Sequence, residues 1–419
     1  MNGDQRADLI AGAPNLSGDF DGGVNDDGRV FAVYNTGARQ LGVLDLYTTT
    51  ADLEVRSWLH QQHIGRAFAA SDINGDSQPD LIIGSIGGDN NGQPVTGTVY
   101  VFAGGPGLAG TRTLSPTMQA TNRFVSSEST LSFGEANSLA AGQLDGASAE
   151  DLVVGEMNGS GPGNRAEAGV VRIFSGSTSL PTVWDTGVIS ASLTIFGPAA
   201  NAQLGRVALA DYNGDSRLDL IARSVDSVYV FFGPLSAGVI DLASANADIT
   251  IGGLNTGPLA AGDVNGDHHA EILVGDGDRV QVFSGDPAVT LATFTNVTPS
   301  ALHTVDWNSD GNADVIIGEH ARNRVLVLFG GSAWLPSADI EEQANWIITG
   351  EQSTDQFGYS LGSGDLDADG GQDLISGSRA HTLNSRSDPN FNDAGAVYIL
   401  YGKPGIPPIR YTYLPVLVK

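Results

Sequence analysis

The chain contains no cysteine, so neither disulfide bridges nor thiol chemistry contributes to its fold or function. Basic residues are also scarce, because 20 lysines and arginines stand against 48 acidic residues and give a formal net charge of −28. Such acidity argues against nucleic-acid binding, which needs a basic surface. No run reaches the roughly 18 uninterrupted apolar residues of a membrane span. The opening Met1-Asn2-Gly3-Asp4 also lacks the basic and apolar regions of a signal peptide.

The rest of the composition describes a folded, modular chain. Hydrophobic residues make up 41% of the sequence, which excludes a disordered protein despite the 56 glycines. A length of 419 residues is too great for one ordinary compact core unless the fold is modular or radial.

A nine-residue pattern with an acid or an asparagine at alternate places recurs along the chain. Oxygen side chains at positions 1, 3, 5 and 9, with a backbone carbonyl at position 7, are what Ca²⁺ needs, since it takes about 6–8 oxygen ligands. We therefore predict about five structural Ca²⁺ sites. In chain order, positions 1, 3, 5, 7 and 9 of the five complete loops are Asp72, Asn74, Asp76, Gln78, Asp80; Asp211, Asn213, Asp215, Arg217, Asp219; Asp263, Asn265, Asp267, His269, Glu271; Asp306, Asn308, Asp310, Asn312, Asp314; and Asp365, Asp367, Asp369, Gly371, Asp373.

Two alternatives compete with this interpretation of the loops. Asn-Gly and Asp-Gly form tight hairpin turns without any ion, but turn chemistry does not demand the repeated acids at positions 1, 5 and 9. An EF-hand needs a 12-residue loop and flanking helices, whereas these loops close at nine residues and precede short apolar runs.

Strand-like runs follow each loop in a regular order. Short β-branched and aromatic runs bounded by Gly, Asn and Asp predict β-strands, and their near-continuous apolarity predicts burial on both faces. The first runs are residues 81–84, 152–155, 220–222, 272–275, 315–318 and 374–377, and the second are 97–102, 170–174, 228–232, 280–283, 325–329 and 395–400. Seven units of about 60 residues, each with four strands, predict an all-β, seven-bladed propeller of antiparallel blades.

The residues flanking the loops carry a resemblance to a known family. Phe133-Gly134 and Phe357-Gly358 precede two of the loops, with looser Ile64-Gly65 and Leu204-Gly205 before two others, and Ala11-Gly12-Ala13-Pro14 follows the first loop. Together these segments resemble the FG-GAP repeat of integrin α-subunit propellers, over roughly residues 1–402. The resemblance implies Ca²⁺ in hairpin loops between the first two strands of some blades. The expected blade units are residues 1–58, 59–130, 131–200, 201–254, 255–297, 298–352 and 353–402.

Two loops and the tail depart from the regular pattern. The third loop keeps only two carboxylates, Asp145 and Asp151, beside Gln143 and Ala147, so we expect it to be empty. The first loop has Asn2, Asp4 and Asp8 but no first ligand. We therefore expect the chain to be a fragment whose signal peptide and first inner strand precede Met1, which would leave the first blade incomplete. Residues 403–419 are predicted to be a linker and a closing strand of the seventh blade.

Two matches to enzyme motifs lack the context that the chemistry needs. Gly358-Tyr359-Ser360-Leu361-Gly362 fits G-x-S-x-G, but a nucleophile elbow requires a following helix. Residues 105–110 fit G-x-G-x-x-G, and the dinucleotide fingerprint likewise requires a helix there. We find no catalytic constellation and expect no enzyme activity.

The connections between second and third strands indicate a ligand face. They are long in blades 1, 2, 3 and 7 and short in blades 4, 5 and 6, so the long ones cluster on half of the face opposite the loops. We expect a protein or glycan ligand there, with Phe20 and Phe391 as contacts, although tolerated insertions explain these segments nearly as well. The long connections are residues 15–27, 86–96, 157–168 and 379–394.

Three functions fit these features. The first is a secreted or cell-surface, calcium-stabilised propeller for protein binding or adhesion. The second is a carbohydrate-binding, lectin-like propeller, and the third is a non-catalytic accessory domain of a larger secreted enzyme. The fold alone does not choose among them.

Overall fold

The protein is described by a computed structural model that covers residues 1–15, 28–35, 44–46, 49–57, 62–87, 97–114, 120–126, 138–285, 289–331, 334, 336–380, 395–402 and 414–417. These residues form seven predominantly antiparallel sheets arranged as the blades of a β-propeller, which confirms the predicted fold class. Helix is limited to one 3₁₀ turn and one α-turn, α1 (Ile340–Gln343). Neither helical segment in these ranges is long and apolar enough to cross a membrane.

The strands are assigned to blades by their order along the chain. Blades 1 to 3 contain β1 (Leu9–Ala13), β2 (Arg29–Val33), β3 (Leu44–Asp45) and β4 (Leu53–Ser57); β5 (Phe68–Ser71), β6 (Asp80–Ser85), β7 (Thr98–Phe102), β8 (Gly110–Leu114) and β9 (Asn122–Val125); and β10 (Leu139–Gly142), β11 (Asp151–Glu156), β12 (Val170–Phe174), β13 (Val183–Asp185) and β14 (Leu193–Phe196).

The remaining strands form blades 4 to 7. Blades 4 and 5 contain β15 (Arg206–Ala210), β16 (Asp219–Arg223), β17 (Ser227–Phe231), β18 (Gly238–Asp241) and β19 (Ile249–Gly252); and β20 (Leu259–Gly262), β21 (Glu271–Asp276), β22 (Arg279–Ser284) and β23 (Val289–Thr295). Blades 6 and 7 contain β24 (Ala301–Val305), β25 (Asp314–Glu319), β26 (Arg324–Leu328), β27 (Ser337–Asp339) and β28 (Trp346–Thr349); and β29 (Phe357–Gly364), β30 (Asp373–Ser378), β31 (Ala396–Leu400) and β32 (Leu414–Leu417).

The second strand of each blade lies at the centre of the packing. Every residue of β6, β11, β16, β21 and β25 is buried, as the continuous apolar runs predict for strands covered on both faces. The hydrophobic clusters lie between neighbouring blades. One of them joins Ile221 and Val228 of blade 4 to Ile272 and Val274 of blade 5.

An additional parallel strand extends the outer edge of most blades. The segment between the third and fourth strands of one blade crosses to the preceding blade, so that β8 pairs with β4, β13 with β9, β18 with β14, and β27 with β23. With β3, which pairs with β32 of blade 7, four sheets contain five strands where the sequence predicted four, whereas the sheet of blade 1 has four strands including β8. Short segments of mixed polarity, such as Val183–Asp185, do not reveal such a partner.

The ring closes between blades 7 and 1. Strand β32 is the fourth strand of blade 7, antiparallel to β31, and β3 of blade 1 pairs with its other side in parallel. The sheet edge is β3 and not β32, although proline favours edge strands because it has no backbone N–H. The parallel pairs with β3 are at the two residues after Pro415. Leu9 and Ala11 of blade 1 share a core with Ile399 and Tyr401 of blade 7.

Glycines of adjacent blades approach each other at several junctions. A Cβ added to Gly12 would lie 2.1 Å from the carbonyl oxygen of Gly65, and one added to Gly155 would lie 1.8 Å from that of Gly205. The corresponding distance from Gly318 to the Gly358 oxygen is 2.2 Å. The glycine of the Phe-Gly segment in one blade thus packs against the second-strand glycine of the preceding blade. This close contact explains why both positions are glycine.

Candidate metal centres

The nine-residue loops join the inner strand of a blade to its second strand. Position 9 is the first residue of the second strand, for example Asp80 in β6 and Glu271 in β21. Position 2 is a buried apolar side chain in each complete loop and in the third loop, and it anchors the loop in the core. These anchors are Ile73, Leu144, Tyr212, Val264, Trp307 and Leu366.

Acidic side chains fold the loop around themselves by accepting backbone N–H groups. In blade 4, Asp211 accepts the N–H of Asp215 at 3.0 Å and that of Ser216 at 2.7 Å, and Asp215 accepts the N–H of Arg217 at 3.0 Å. Positions 4 and 6 of the five complete loops have positive φ, as at Gly214 (76°) and Ser216 (67°). Short carboxylate and amide side chains are suited to this conformation because they bond locally to the backbone.

The first loop has the same local conformation over the positions it contains. Gly3 and Gln5 have positive φ at positions 4 and 6, and Asp4 accepts the N–H of Arg6 at 3.0 Å. The Asn2 N–H donates to Asp8 at 3.3 Å, as position 3 does to position 9 in the complete loops.

Position 9 has a second role that the sequence did not reveal. Asp219 accepts the N–H groups of Tyr212 at 2.9 Å, Asn213 at 3.1 Å and Gly233 at 2.9 Å. Gly233 follows the third strand, so this carboxylate connects the loop to the next strand of its own blade. Asp80, Asp314 and Asp373 make the equivalent bonds to Gly104, Gly330 and Gly402.

Burial raises the pKa of these position-9 carboxyls. Desolvation is the largest cause, and neighbouring loop carboxylates add to it, so that the pKa of Asp80 and Asp314 is about 6 and that of Glu271 and Asp373 about 7. A group of acids held together in this way is stabilised in its charged form by a cation.

The seventh loop shows that the donor set fits a cation. Asp365, Asp367 and Asp373 each place a carboxylate oxygen within 4.8 Å of the others. Three carboxylates and a tight loop match the all-oxygen coordination that Ca²⁺ prefers. Where position 3 is Asn, its amide nitrogen can donate a hydrogen bond to an acid of the same loop. Asn74 donates to Asp80 at 2.8 Å, and Asn308 donates to Asp310 at 2.9 Å.

The backbone N–H of the position-7 residue donates a hydrogen bond to the position-5 carboxylate of the same loop. Gln78 donates to Asp76, His269 to Asp267 and Asn312 to Asp310, each at 2.9 Å, and Gly371 makes the same bond to Asp369. That the carbonyl oxygens of these position-7 residues bind an ion is still a prediction.

Successive loops contact one another around the ring. The Glu150 N–H donates to the Asp72 carbonyl at 3.0 Å, and the Ala270 N–H to the Asp211 carbonyl at 2.8 Å. Position 2 also contacts the following blade, since Trp307 Nε1 donates to the Leu400 carbonyl at 3.2 Å. Each of these loops therefore stabilises a junction between blades as well as its own turn.

Arg223 is a further residue that sequence reasoning missed. It occupies the place that glycine takes in the second strands of other blades, and its guanidinium donates to the carbonyls of Pro258 at 2.6 Å and Gly275 at 2.8 Å. Burial lowers its pKa to about 10. The only sequence signal for this contact between blades was an arginine within an otherwise apolar run.

Neither enzyme-like motif is followed by a helix. Residues 358–362 are part of β29 and run into the seventh loop without a helix. Residues 105–110 lead into β8. Of the long connections, only 157–168 is described throughout, and Phe20 and Phe391 lie outside the described residues, so the predicted ligand face stays a prediction.

The fold and loops define a seven-bladed β-propeller with acidic loops between the first two strands of its blades. The FG-GAP repeat family matches residues 64–102 and 357–400, which confirms the resemblance seen in the sequence. The chain is a seven-bladed β-propeller that contains FG-GAP repeats, which is consistent with the propeller at the N-terminus of integrin α-subunits.

Curated relatives are similar over most of the chain. Phosphatidylinositol-glycan-specific phospholipase D of Bos taurus is 24% identical over 436 residues, covering 96% of this chain and 45% of the relative. The Homo sapiens protein of that name is 24% identical with the same coverage, and the Dictyostelium discoideum one is 25% identical over 71% of this chain and 30% of its own length. The chain thus spans less than half the length of these relatives.

A solved structure of BBS1N in complex with ARL6DN, soaked with mercury, overlaps with a TM-score of 0.42 at 9% identity. It covers 83% of this chain and 93% of that chain. This score is too low to add to the fold assignment.

The comparison contradicts the expectation that the protein is not an enzyme. Relatives matched over 96% of the chain are named as a phospholipase D. The expectation was wrong because it relied on catalytic motifs within these residues, whereas the similarity lies in the repeats.

Proposed function

We propose that this chain is the propeller region of a larger secreted enzyme related to phosphatidylinositol-glycan-specific phospholipase D. The observation that carries the proposal is the coverage, since the similarity extends over 96% of the chain but only 45% of the bovine relative. Of the three expected functions, the comparisons favour the accessory domain of a secreted enzyme over adhesion. An extracellular location is part of the same proposal.

Release of a glycosylphosphatidylinositol-linked reporter from vesicles tests this proposal. The chain alone and the complete product of its gene would be assayed side by side, with the vesicle-bound fraction measured for both. We expect the complete product to release the reporter. Release by the chain alone would place the activity within the propeller, and no release by either protein would contradict the proposal.

We also propose that calcium binds the five complete loops and stabilises the junctions between blades. The support is the all-oxygen donor set, the three clustered carboxylates of the seventh loop and the hydrogen bonds that link successive loops. Asp, Asn and Glu side chains at positions 1, 3, 5 and 9 would hold the ion. The bound ion supplies positive charge that offsets the repulsion among these acids.

Titration calorimetry and elemental analysis of the purified chain test the calcium proposal. We expect about five ions per chain and a lower melting temperature after chelation. Replacing Asp365 by Ala should reduce the ion count by one, whereas the same change at the exposed Asp278, in the turn between β21 and β22, serves as a control. An unchanged melt after chelation together with no bound calcium would contradict the proposal.

A further inference from the structure

The third loop is attached to the fold in the same way as the complete loops. The Leu144 N–H donates to Asp151 at 2.8 Å, and the Gly176 N–H donates to the other oxygen of that carboxylate at 3.2 Å. Leu144 is buried, and its carbonyl accepts the Leu235 N–H of the next blade at 2.6 Å. Both ends of the loop therefore have the geometry of a metal-binding loop.

The interior of this loop contains a side-chain donor that the complete loops do not have at position 1. The amide oxygen of Gln143 still accepts the N–H groups of Asp145 at 3.0 Å and Gly146 at 2.6 Å, as the position-1 carboxylate does in the complete loops. Position 1 is Gln143, whose amide nitrogen donates to the Ala149 carbonyl at 3.0 Å and also to the Ala147 carbonyl. Ala149 is position 7, the residue whose carbonyl is predicted to bind the ion in the complete loops. A carboxylate at position 1 can only accept hydrogen bonds, whereas an amide nitrogen, like a cation, attracts carbonyl oxygens.

The remaining ligand positions of the loop are also changed. Ala147 supplies no side-chain oxygen at position 5, and one oxygen of Asp145 accepts the Ser175 hydroxyl at 2.8 Å. Ser148 at position 6 lacks the positive φ seen at Ser77, Ser216 and the other position-6 residues. The residues of the third loop therefore do not fit a calcium ion.

We propose that the Gln143 amide takes the place of the cation, so that the third blade is stabilised without metal. The inference rests on the proposed calcium binding of the other loops, because only that proposal makes the third loop an exception. It predicts that the third loop keeps its conformation in chelator, when the complete loops lose their ions.

Melting temperatures of Gln143→Ala and Asp211→Ala in calcium and in chelator test the proposal. We expect Gln143→Ala to lower the melting temperature by the same few degrees in both conditions and to leave the ion count at the wild-type value. Asp211→Ala, at position 1 of the fourth loop, should lower it more in calcium than in chelator, because in chelator only the hydrogen bonds of Asp211 to backbone N–H groups are lost. An ion count reduced by one in Gln143→Ala would overturn the inference.

Gln143→Glu is the second variant, since it keeps the size of the side chain but removes both donors. We expect it to melt lower than wild type in calcium and in chelator alike, because a carboxylate cannot donate to the Ala147 and Ala149 carbonyls and position 5 still supplies no ligand. An unchanged melt of Gln143→Glu in chelator would overturn the inference. Failure of the calcium proposal would look different, as Asp211→Ala would then have equal effects with and without calcium.

Discussion

Position 9 of the loops shows how one acidic residue serves two purposes. Its carboxylate accepts three backbone N–H groups in blade 4, which satisfies buried donors whether or not an ion is present. Asp151 makes the same bonds in the third loop, where the other ligand positions are lost. The repeated acid in the sequence is therefore explained partly by the backbone and only partly by metal.

Substitution at positions 9 and 5 of one loop should separate these two purposes. Asp219→Ala leaves three backbone N–H groups without an acceptor and should cost about 3 kcal/mol or more of unfolding free energy in chelator, and more in calcium, where a ligand is lost as well. Asp215→Ala removes an exposed ligand and one exposed backbone hydrogen bond, so it should destabilise the protein mainly in calcium. Chemical denaturation of both variants in the two conditions is the measurement, and an Asp219→Ala variant as stable as wild type in chelator would contradict the dual role.

His303 should make stability depend on pH on the acidic side. Burial in β24 lowers its pKa to about 4, and its Nε2 lies 2.9 Å from the Ser363 hydroxyl of blade 7. Its contribution is fully present above the unfolded pKa of about 6.5. It is lost as the pH falls towards 4, by up to about 1.4 kcal/mol per pH unit, because only the unfolded chain takes up the proton.

Denaturation curves between pH 7 and pH 4 check this prediction. We expect His303→Asn to flatten the decrease relative to wild type, while His268→Asn, at an exposed loop position, should leave the slope unchanged. An equal decrease of the unfolding free energy with falling pH in His303→Asn and wild type would show that other groups cause the loss of stability in acid.

At the scale of elements, the junction between blades depends on the glycines of the second strands. Gly155 in β11 faces the Gly205 carbonyl of blade 4 so closely that any Cβ requires the backbone to move. A Cβ added to Gly362, a glycine in β29, would come no closer than 4.0 Å to a neighbouring atom, the Cβ of Ile375. Neither glycine has a positive φ, so the two positions form a matched pair that differs in packing.

Alanine substitutions at these two glycines should therefore have different effects. Gly155→Ala should lower the unfolding free energy by about 1–3 kcal/mol or more, through overpacking against Gly205. Gly362→Ala should be nearly neutral, or slightly stabilising, because it restricts the unfolded chain. Thermal or chemical unfolding of both variants gives the comparison, and similar losses at both positions would argue against the close approach as the cause.

The structural elements that could be predicted from the sequence are those encoded by residues close together in the chain. The loop spacing and the continuous apolar runs lie within about 15 residues of each other, so the hairpin of strands one and two was predictable in most blades. The parallel strands were not, because β8 or β18 carries a few residues of mixed polarity and its partner lies in the preceding blade. The position-9 bonds were equally hidden, since their donors, such as Gly233, follow a different strand.

At the scale of the whole molecule, the blade count followed from repetition, but the choice among the three expected functions did not. Repeats report architecture, and fold alone does not determine function. The acidic loops also explain part of the net charge of −28, since they concentrate carboxylates at the junctions between blades. Hydrogen bonds from loop to loop make these junctions continuous around much of the ring, and the contact between blades 7 and 1 closes it.

Ring closure should depend on the C-terminal strand. Deleting residues 414–419 removes β32, which pairs with β31 on one side and with β3 of blade 1 on the other. We expect a melting temperature lower by several degrees, because one strand's ladder and the link between the first and last blades are both lost. Deletion of residues 418–419 alone, which lie beyond the strand, is the matched control.

Amide hydrogen exchange of the two truncated proteins locates the effect within the ring. Protection should fall in β31 and β3, at the open junction, while β16 and β21 on the other side of the propeller keep the protection of the intact chain, because opening is local where contacts are lost. The control truncation should leave all four strands unchanged. Unchanged protection of β31 and β3 after removal of β32 would show that the hydrophobic contacts of Leu9 and Ala11 with blade 7 close the ring by themselves.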